Sequence, residues 1–284
     1  MKGLIFLKEI IMKRRMILKV GVASLAALCL SVSSLSAKEA FNFPKDKQKA
    51  LLLSSSGYKD TGYLNHALPW LKKFVEKNKL KGKKVAFIPY AGVRKSYDAY
   101  EAQVKKALES LGVEIISVHK GKAADIVKSA DAIFVGGGNT FELVNQLYKN
   151  ELIELIAKRV SEGVPYVGWS AGSNVAGATM QTTNDMPIAE PESFNTFNIF
   201  PHQINPHFIS GKPVGHNGES REERLEEFLI LNPKSIVYAL PEGVALLIDG
   251  KKVKVLGMDK KAPLLKLEYQ KDISKIAIDS EFDY

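Results

Sequence analysis

The sequence predicts an α/β protein in which helices flank a mostly parallel central sheet. From residue 50 onward, short apolar runs of strand length alternate with amphipathic stretches of helix length. Hydrophobic residues make up 45% of the chain and charged residues 25%, which fits a folded core and excludes a disordered or low-complexity protein. Strands separated by helices form right-handed βαβ units, whose parallel sheet is covered on both faces.

The elements of this fold follow one another in order. Strands are expected at residues 50–53, 84–89, 113–118, 130–135 and 165–169. Helices are expected at residues 66–78 and 97–111, and a single long helix at residues 141–162. After residue 195 the apolar runs lie closer together, at residues 237–240, 244–248, 252–256 and 264–267. Turn residues separate these runs, which predicts hairpins added to the edge of the sheet. With no internal repeat and no linker, residues 38–284 are interpreted as one domain.

Charge and cysteine content exclude several classes of protein. The net charge is +9, but residues 1–37 hold six cations and one anion, so the rest of the chain carries +4. Acidic and basic residues are interleaved there, as on an ordinary solvated surface, and no nucleic-acid partner is expected. The one cysteine, Cys29, excludes an internal disulfide and a cysteine-rich zinc site.

The first 37 residues have the pattern of a signal peptide. A basic stretch at residues 13–15 precedes an uncharged run at residues 20–32, and small residues follow at residues 33–37. The run is short for a membrane span, which needs about 20 residues. We expect cleavage after Ser36 or Ala37, a periplasmic or secreted protein, and no membrane association after cleavage. The alternative is a cytoplasmic protein with a misassigned start.

The most informative motif is Gly-Trp-Ser-Ala-Gly at residues 168–172, which directly follows a predicted strand. This context is typical of a nucleophile elbow, with Ser170 exposed at the carboxyl end of the sheet. The backbone N–H of Ala171 would then point at a developing oxyanion. The alternative is a glycine-rich turn whose serine caps a helix.

A serine nucleophile needs a base, and histidine is the usual one. His202 and His207 flank a stretch that contains the turn signal Asn205-Pro206. His207 lies in a loop just past a strand, where catalytic groups collect, so it is favoured over His202.

A run of three glycines at residues 136–138 follows another predicted strand and opens a helix. It lacks the spacing of a dinucleotide fingerprint and the lysine of a P-loop. Its backbone N–H groups could instead supply a second oxyanion donor. The alternative is a plain turn in which Asn139 or Thr140 caps the helix.

Several blocks of the sequence together resemble peptidase E, the α-aspartyl dipeptidase family of the serine-peptidase group that also contains cyanophycinase. The main blocks are GGGNTF at 136–141, GWSAG at 168–172, TTNDMPI at 182–188 and QINPHF at 203–208. Further matches lie at residues 66–69, 91–93, 218–222 and 240–243, so the resemblance extends from about residue 50 to 257.

The resemblance implies a class I glutamine-amidotransferase-like fold and the hydrolysis of dipeptides with an N-terminal aspartate, without a metal or cofactor. Ser170 would be the nucleophile and His207 the general base. Asp185 and Glu242 are the acids that the family offers as third partner. Glu242 is favoured to contact His207, and Asp185 would then lie in the substrate cleft.

The resemblance also assigns the groups around the reacting carbonyl. The oxyanion hole would use backbone N–H groups of Gly137, Gly138 and Ala171. Arg221 is a candidate to hold the aspartate carboxylate, because a guanidinium matches a carboxylate with two parallel hydrogen bonds.

Other functions remain open at this point. A cyanophycinase-like or isoaspartyl peptidase would use the same triad with a different pocket. An amidotransferase-like binding protein that has lost its chemistry fits less well, because a nucleophile, a base and both acids are present. A glutaminase is excluded, because that reaction uses cysteine at the position of Ser170. A homodimer is left open.

The sequence departs from the family pattern at Gln181 and His202, where a related enzyme has Arg and Leu. His202 is therefore expected to add a titratable group near His207.

Overall fold

The computed structural model describes residues 42–284, and the predicted signal segment, residues 1–37, lies outside them. The strands are β1 (Lys49–Leu53), β2 (Lys84–Ile88), β3 (Glu114–Ser117), β4 (Ala132–Val135), β5 (Tyr166–Trp169), β6 (Gln203–Phe208), β7 (Ile236–Pro241), β8 (Val244–Asp249), β9 (Lys252–Gly257), β10 (Leu264–Glu268), β11 (Ser274–Ile276) and β12 (Glu281–Asp283). The helices are α1 (Leu68–Lys77), α2 (Tyr97–Leu108), α3 (Ala123–Ser129), α4 (Thr140–Lys149), α5 (Leu152–Ser161), α6 (Ala171–Asn174) and α7 (Arg221–Leu231).

Five parallel strands form the centre of an eight-stranded sheet, in the order β1-β5-β4-β2-β3. β8, β9 and β12 extend this sheet in antiparallel fashion beyond β1. The prediction of a mostly parallel central sheet flanked by helices is confirmed. Among the described helices, none is both long enough and apolar enough to cross a bilayer.

Both faces of the central sheet are covered, because successive side chains of a strand point to opposite faces. In β1, Leu51 and Leu53 pack on the side of α1 and α2, whereas Ala50 and Leu52 pack on the side of α4 and α5. This arrangement explains why the strands read as continuous apolar runs rather than as alternating ones.

The C-terminal strands divide between two sheets. β8 and β9 form the predicted hairpin at the edge next to β1, but β7 and β10 pair with β6 and β11 in a separate four-stranded sheet. Tyr238 and Leu240 of β7 face the main core, and Val237 and Ala239 face α7. β7 is therefore covered by the main core on one face and by α7 on the other. The prediction that all four runs extend one sheet is wrong for β7 and β10.

The long helix predicted for residues 141–162 is also wrong, because the chain breaks it into α4 and α5. Glu151 separates the two helices with a φ of 56°, in the left-handed region. The break lets the apolar faces of both helices reach the core, where Leu147 and Leu152 are fully buried.

The carboxyl ends of β1, β4 and β5 meet the ends of β6 and β7 at one edge of the molecule. The chain leaves β4 through the glycine run and β5 through Ser170, while His207 lies near the end of β6 and Glu242 follows β7. Loops at the carboxyl ends of parallel strands are where α/β proteins place their ligands.

Candidate active site

Ser170 lies in the turn between β5 and α6, in a backbone conformation that is rare for a residue with a side chain. Its φ is 54° and its ψ is −116°, and such strain is typically held in place at functional sites. The turn is very tight, because a Cβ atom on Gly168 would overlap the carbonyl of Gly172. The conformation matches the nucleophile elbow that the sequence predicts.

His207 links Ser170 to Glu242 through its two ring nitrogens. Nε2 lies 2.9 Å from Ser170 Oγ, and Nδ1 lies 2.9 Å from Glu242 Oε1. His207 lies within β6, and not in the loop past a strand that Asn205-Pro206 predicts. It has a φ of 54°, at a point where the pairing of β6 with β7 is irregular between Asn205 and Phe208. This irregularity turns the imidazole out of the alternating pattern of the strand and towards the serine.

A buried serine that the sequence analysis missed holds this histidine in place. Ser54, at the carboxyl end of β1, accepts a hydrogen bond from the backbone N–H of His207 at 3.0 Å. Its hydroxyl donates to the carbonyl of Leu240 in β7 at 2.8 Å. The signal available in the sequence was the run of three serines directly after β1, at the same sheet edge as Ser170.

Three backbone N–H groups near Ser170 are free to bind an anion. Within residues 42–284, those of Gly137, Gly138 and Ala171 donate to no other group. Gly138 has a φ of 140°, and a Cβ atom there would overlap the carbonyl of Ala91. The glycine turn can therefore pass close to the serine only without side chains, and a Cβ atom on Gly137 would lie 2.8 Å from that of Ser170.

Two tyrosines that the sequence analysis also missed support this turn. The hydroxyl of Tyr100 donates to the carbonyl of Gly137 at 2.8 Å. The indole N–H of Trp169 donates to the hydroxyl of Tyr63 at 3.0 Å. Burial raises the pKa of both phenols, so they stay neutral. They come from separate segments of the chain, so no local pattern marks them.

Asp185 is tied to the start of α4 rather than to His207. Its Oδ2 accepts hydrogen bonds from the backbone N–H of Thr140 at 2.7 Å and from the Thr140 hydroxyl at 2.6 Å. The hydroxyl of Thr183 also donates to this oxygen, at 3.1 Å. Oδ1 has no hydrogen-bond partner in the described part of the chain. Asn139 caps α4 by accepting from the N–H of Glu142.

Arg221 lies at the start of α7 and faces the same cleft as Ser170 and Asp185. We call this cleft, whose volume is about 480 Å³, the aspartate cleft; its lining includes Ser170, Ala171, Thr183, Asp185, His207, Arg221 and Glu242. No described carboxylate forms an ion pair with the guanidinium. Burial and, secondly, Arg224 lower the pKa of Arg221, while Asp185 raises it. The cleft thus holds both a cation and an acid.

His202 does not lie near His207, contrary to the expectation. It precedes β6, five residues before His207, and packs against the rings of Phe200, Tyr238 and Tyr284. Five residues of extended chain span about 16 Å. Burial lowers the pKa of His202 to about 4, so its ring is neutral at pH 7.

One cluster of possible metal ligands exists among the described residues. It consists of Asp98, Glu101 and His119. Lysines already pair with its carboxylates: Lys120 with Asp98, and Lys105 with Glu101 at 2.8 Å. The cluster is therefore neutralised from within the chain.

An α/β sandwich with a serine, a histidine and a glutamate hydrogen-bonded in series at the carboxyl edge of its sheet has the architecture of a hydrolase. Comparison with known proteins agrees with this class. The profile of "Peptidase family S51" matches residues 50–256. The chain belongs to this family, so it is a peptidase and its substrate is a peptide.

Two similar proteins are both named "Peptidase E". The chain is 58% identical over 235 residues to "Peptidase E" of Actinobacillus pleuropneumoniae serotype 5b, an alignment that covers 82% of this chain and 98% of the relative. It is 55% identical over 235 residues to "Peptidase E" of Pasteurella multocida, again with 82% of this chain and 98% of the relative covered.

Solved structures share the fold. A candidate peptidase E protein from Listeria monocytogenes EGD-e matches with a TM-score of 0.56 at 25% identity, over 75% of this chain and 99% of that one. A peptidase from an acI-B1 actinobacterium matches with a TM-score of 0.61 at 18% identity, over 85% of this chain and 99% of that one. The fold is therefore the class I glutamine-amidotransferase-like sandwich that the family resemblance implies.

Proposed function

We propose that this protein is a serine peptidase that hydrolyses dipeptides with an N-terminal aspartate through an acyl-enzyme. The observation that carries the proposal is the array of Ser170, His207 and Glu242, with 2.9 Å at both hydrogen bonds. The name peptidase E that its relatives bear supports the aspartyl dipeptidase reaction. The mechanism needs no metal and no cofactor.

The array supports a two-step acyl transfer. Nε2 of His207 takes the proton of Ser170 while Oγ attacks the carbonyl carbon of the aspartyl residue. Glu242 accepts the Nδ1–H hydrogen bond, which keeps Nε2 free as the base and stabilises the imidazolium that forms. His207 then gives its proton to the amine as the C–N bond breaks. A water molecule, deprotonated by the same nitrogen, hydrolyses the ester and releases aspartate.

The free N–H groups of the glycine turn suit the negative charge of the intermediate. In the proposed mechanism Gly137, Gly138 and Ala171 donate to the carbonyl oxygen as it becomes an oxyanion. Donors fixed in place before the reaction stabilise the transition state without reorganisation, and loss of one such donor typically costs about 100- to 1000-fold in turnover.

The charges of the aspartate cleft fit an N-terminal aspartate. Such a residue carries an ammonium group and a side-chain carboxylate close together. Arg221 pairs with no carboxylate of residues 42–284 and would bind the substrate carboxylate bidentately. Oδ1 of Asp185, which has no hydrogen-bond partner among the described residues, would accept from the ammonium group.

We also propose that the protein is exported and that residues 1–37 are removed. The basic, apolar and small-residue segments of the N-terminus support this location. The proposed reaction would then take place in the periplasm or outside the cell.

The test compares substrates and traps the acyl-enzyme. Asp-Leu is expected to be hydrolysed much faster than its β-linked isomer or a polymer of aspartate and arginine. With hydroxylamine present, Asp-Leu and aspartyl p-nitroanilide should give the same ratio of hydroxamate to aspartate, because one ester intermediate precedes both products.

Ser170→Ala is the matched control for this assay. It should fold normally and lose about three to six orders of magnitude in turnover, as serine triads do. Preference for the β-linked isomer would instead identify an isoaspartyl peptidase, and cleavage of the polymer a cyanophycinase-like enzyme. More than a tenth of the activity in the Ser170→Ala variant would exclude the serine mechanism.

A further inference from the structure

A second cleft also opens onto Ser170 and His207, and the proposed mechanism places no part of the substrate in it. We call it the leaving-residue cleft; it has a volume of about 510 Å³. Its lining includes Tyr63, Val93, Arg94, Lys95, Tyr100 and Ile188. It shares Gly138 with the aspartate cleft, so a substrate at the elbow reaches both.

The two clefts differ in charge. The aspartate cleft contains a cation, Arg221, together with acids that include Asp185. The leaving-residue cleft contains two cations, Arg94 and Lys95, and no acid among its lining residues. An isolated pair of positive charges without a carboxylate is a site for an anionic group.

The two cations are held differently. Lys95 Nζ lies 4.9 Å from the centroid of the Tyr100 ring and 2.6 Å from Gln103 Oε1. These contacts fix the ammonium beside the wall of the cleft without neutralising it. Arg94 is exposed, and no described carboxylate pairs with its guanidinium. Both therefore have hydrogen-bond donors left for a ligand.

A dipeptide with an N-terminal aspartate carries a matching distribution of charge. Its first residue has an ammonium and a carboxylate, and its second residue has only a carboxylate, at the C-terminus. With the first residue beside Arg221, the peptide bond lies at Ser170 and the second residue enters the other cleft. We propose that the leaving-residue cleft binds the C-terminal residue of the substrate, with Arg94 and Lys95 holding its α-carboxylate. This inference rests on the proposed dipeptidase function.

The rest of the cleft selects the side chain of that residue. Val93 and Ile188 are 55% and 57% exposed at its mouth, which is high for large apolar residues. Tyr63 and Tyr100 supply aromatic surface deeper in the cleft. An apolar side chain such as that of leucine would cover Val93 and Ile188, so dipeptides ending in apolar residues are the preferred class.

The position of the cations also limits substrate length. In a tripeptide the α-carboxylate moves one residue, about 3.5 Å, further from Ser170. A neutral amide then takes its place between Arg94 and Lys95. The cleft therefore favours dipeptides over longer peptides by recognising a free C-terminus next to the scissile bond.

The experiment neutralises both cations in the variant Arg94→Gln/Lys95→Gln and compares Asp-Leu with Asp-Leu-amide, which lacks the carboxylate. The wild type should prefer Asp-Leu in kcat/KM, and the variant should lose about 10- to 100-fold on Asp-Leu, the usual effect of a charge-assisted hydrogen-bond pair. The amide should lose less than threefold. The control Lys72→Gln/Lys73→Gln removes the same charge from the exposed face of α1 and should change neither substrate.

A second readout does not depend on turnover. In a Ser170→Ala background, calorimetry should show that Asp-Leu binds more tightly than its amide, and the difference should disappear when Arg94 and Lys95 are neutralised. An unchanged ratio of Asp-Leu to amide in both assays overturns the cleft assignment while wild-type hydrolysis of Asp-Leu keeps the proposed function. If the wild type cleaves no aspartyl dipeptide, both proposals fail together.

Discussion

Ser54 Oγ lies 3.0 Å from the backbone nitrogen of His207, although 153 residues separate them in sequence. The hydroxyl is fully buried and also donates to the carbonyl of Leu240. One side chain at the end of β1 thus joins β6 and β7 at the point where the histidine adopts a left-handed conformation.

Replacing Ser54 by alanine should therefore affect both stability and catalysis. The N–H of His207 and the carbonyl of Leu240 would lose a buried partner, which costs about 1–3 kcal/mol in the free energy of unfolding. Turnover of Asp-Leu should fall about tenfold or more, because small displacements of a catalytic group are costly. Urea unfolding and kcat measure the two effects. Ser55→Ala is the control, since the one hydrogen bond of its hydroxyl within residues 42–284 goes to nearby Gly57. Equal effects of both variants would contradict the positioning role.

The two acids should give different kinetic defects. Glu242→Gln keeps the size of the side chain but weakens the orientation of His207, so kcat should fall about 100- to 10,000-fold. Asp185→Asn should mainly raise KM for Asp-Leu. It should also reduce the preference for Asp-Leu over N-acetyl-Asp-Leu, which has no ammonium group. A kcat defect for Asp185→Asn with a KM defect for Glu242→Gln would reverse the assignment.

Arg221→Met tests the grip on the aspartate side chain. Loss of a desolvated charge pair should weaken transition-state binding of Asp-Leu by about 2–5 kcal/mol. Asn-Leu, whose side chain is neutral, should lose much less. Arg224→Met is a control on the same helix, where the side chain pairs with Glu219 outside the aspartate cleft. Equal losses on Asp-Leu and Asn-Leu would make Arg221 a structural residue.

The half-buried His202 predicts a stability that depends on pH. Burial and secondly Lys266 lower its pKa to about 4, against which Glu268 acts in the opposite direction. The unfolded chain binds the proton near pH 6.5, so the native state is favoured fully above that pH and loses stability as the pH falls towards 4. Allowing for partial solvent exposure, the loss is on the order of 1–2 kcal/mol.

Denaturant unfolding of a His202→Leu variant between pH 7 and 4 checks this contribution. The variant should show a flatter dependence of the unfolding free energy on pH than the wild type. His216→Leu, in an exposed loop, is the matched control and should keep the wild-type slope. A His202→Leu slope identical to that of the wild type would assign the pH dependence to other groups.

Export predicts a defined mature chain. Protein recovered from the periplasm or medium of the native host should have an intact mass that begins at Ala37 or Lys38. Leu28→Arg places a charge in the apolar run and should keep the full-length chain in the cytosol. Full-length wild-type protein in the cytosolic fraction would contradict export.

The parallel half of the fold could be predicted from the sequence because each buried strand there is a continuous apolar run. Ser170 and His207 were accessible for a related reason, since each lies in a local pattern of glycines or Asn-Pro next to a strand. The second sheet was not, because β7 and β8 have similar apolar patterns and only their distant partners distinguish them. The break at Glu151 carries no glycine or proline to mark it.

The supporting groups of the site were missed for a different reason. Ser54, Tyr63 and Tyr100 come from three separate segments of the chain. Only the spatial order of the strands brings them to the edge that holds Ser170, and a linear pattern contains no information on that order.

The division of the strands into two sheets has a consequence for how the protein would lose its activity. Ser170 follows a strand of the larger sheet, whereas His207 lies in a strand of the smaller one and Glu242 directly follows another. The hydrogen bond from Ser170 to His207 therefore crosses the interface between the two sheets. A displacement of one sheet relative to the other by about 1 Å would separate the nucleophile from the base while every strand remained paired. Turnover is therefore expected to fall before the strands of either sheet unpair.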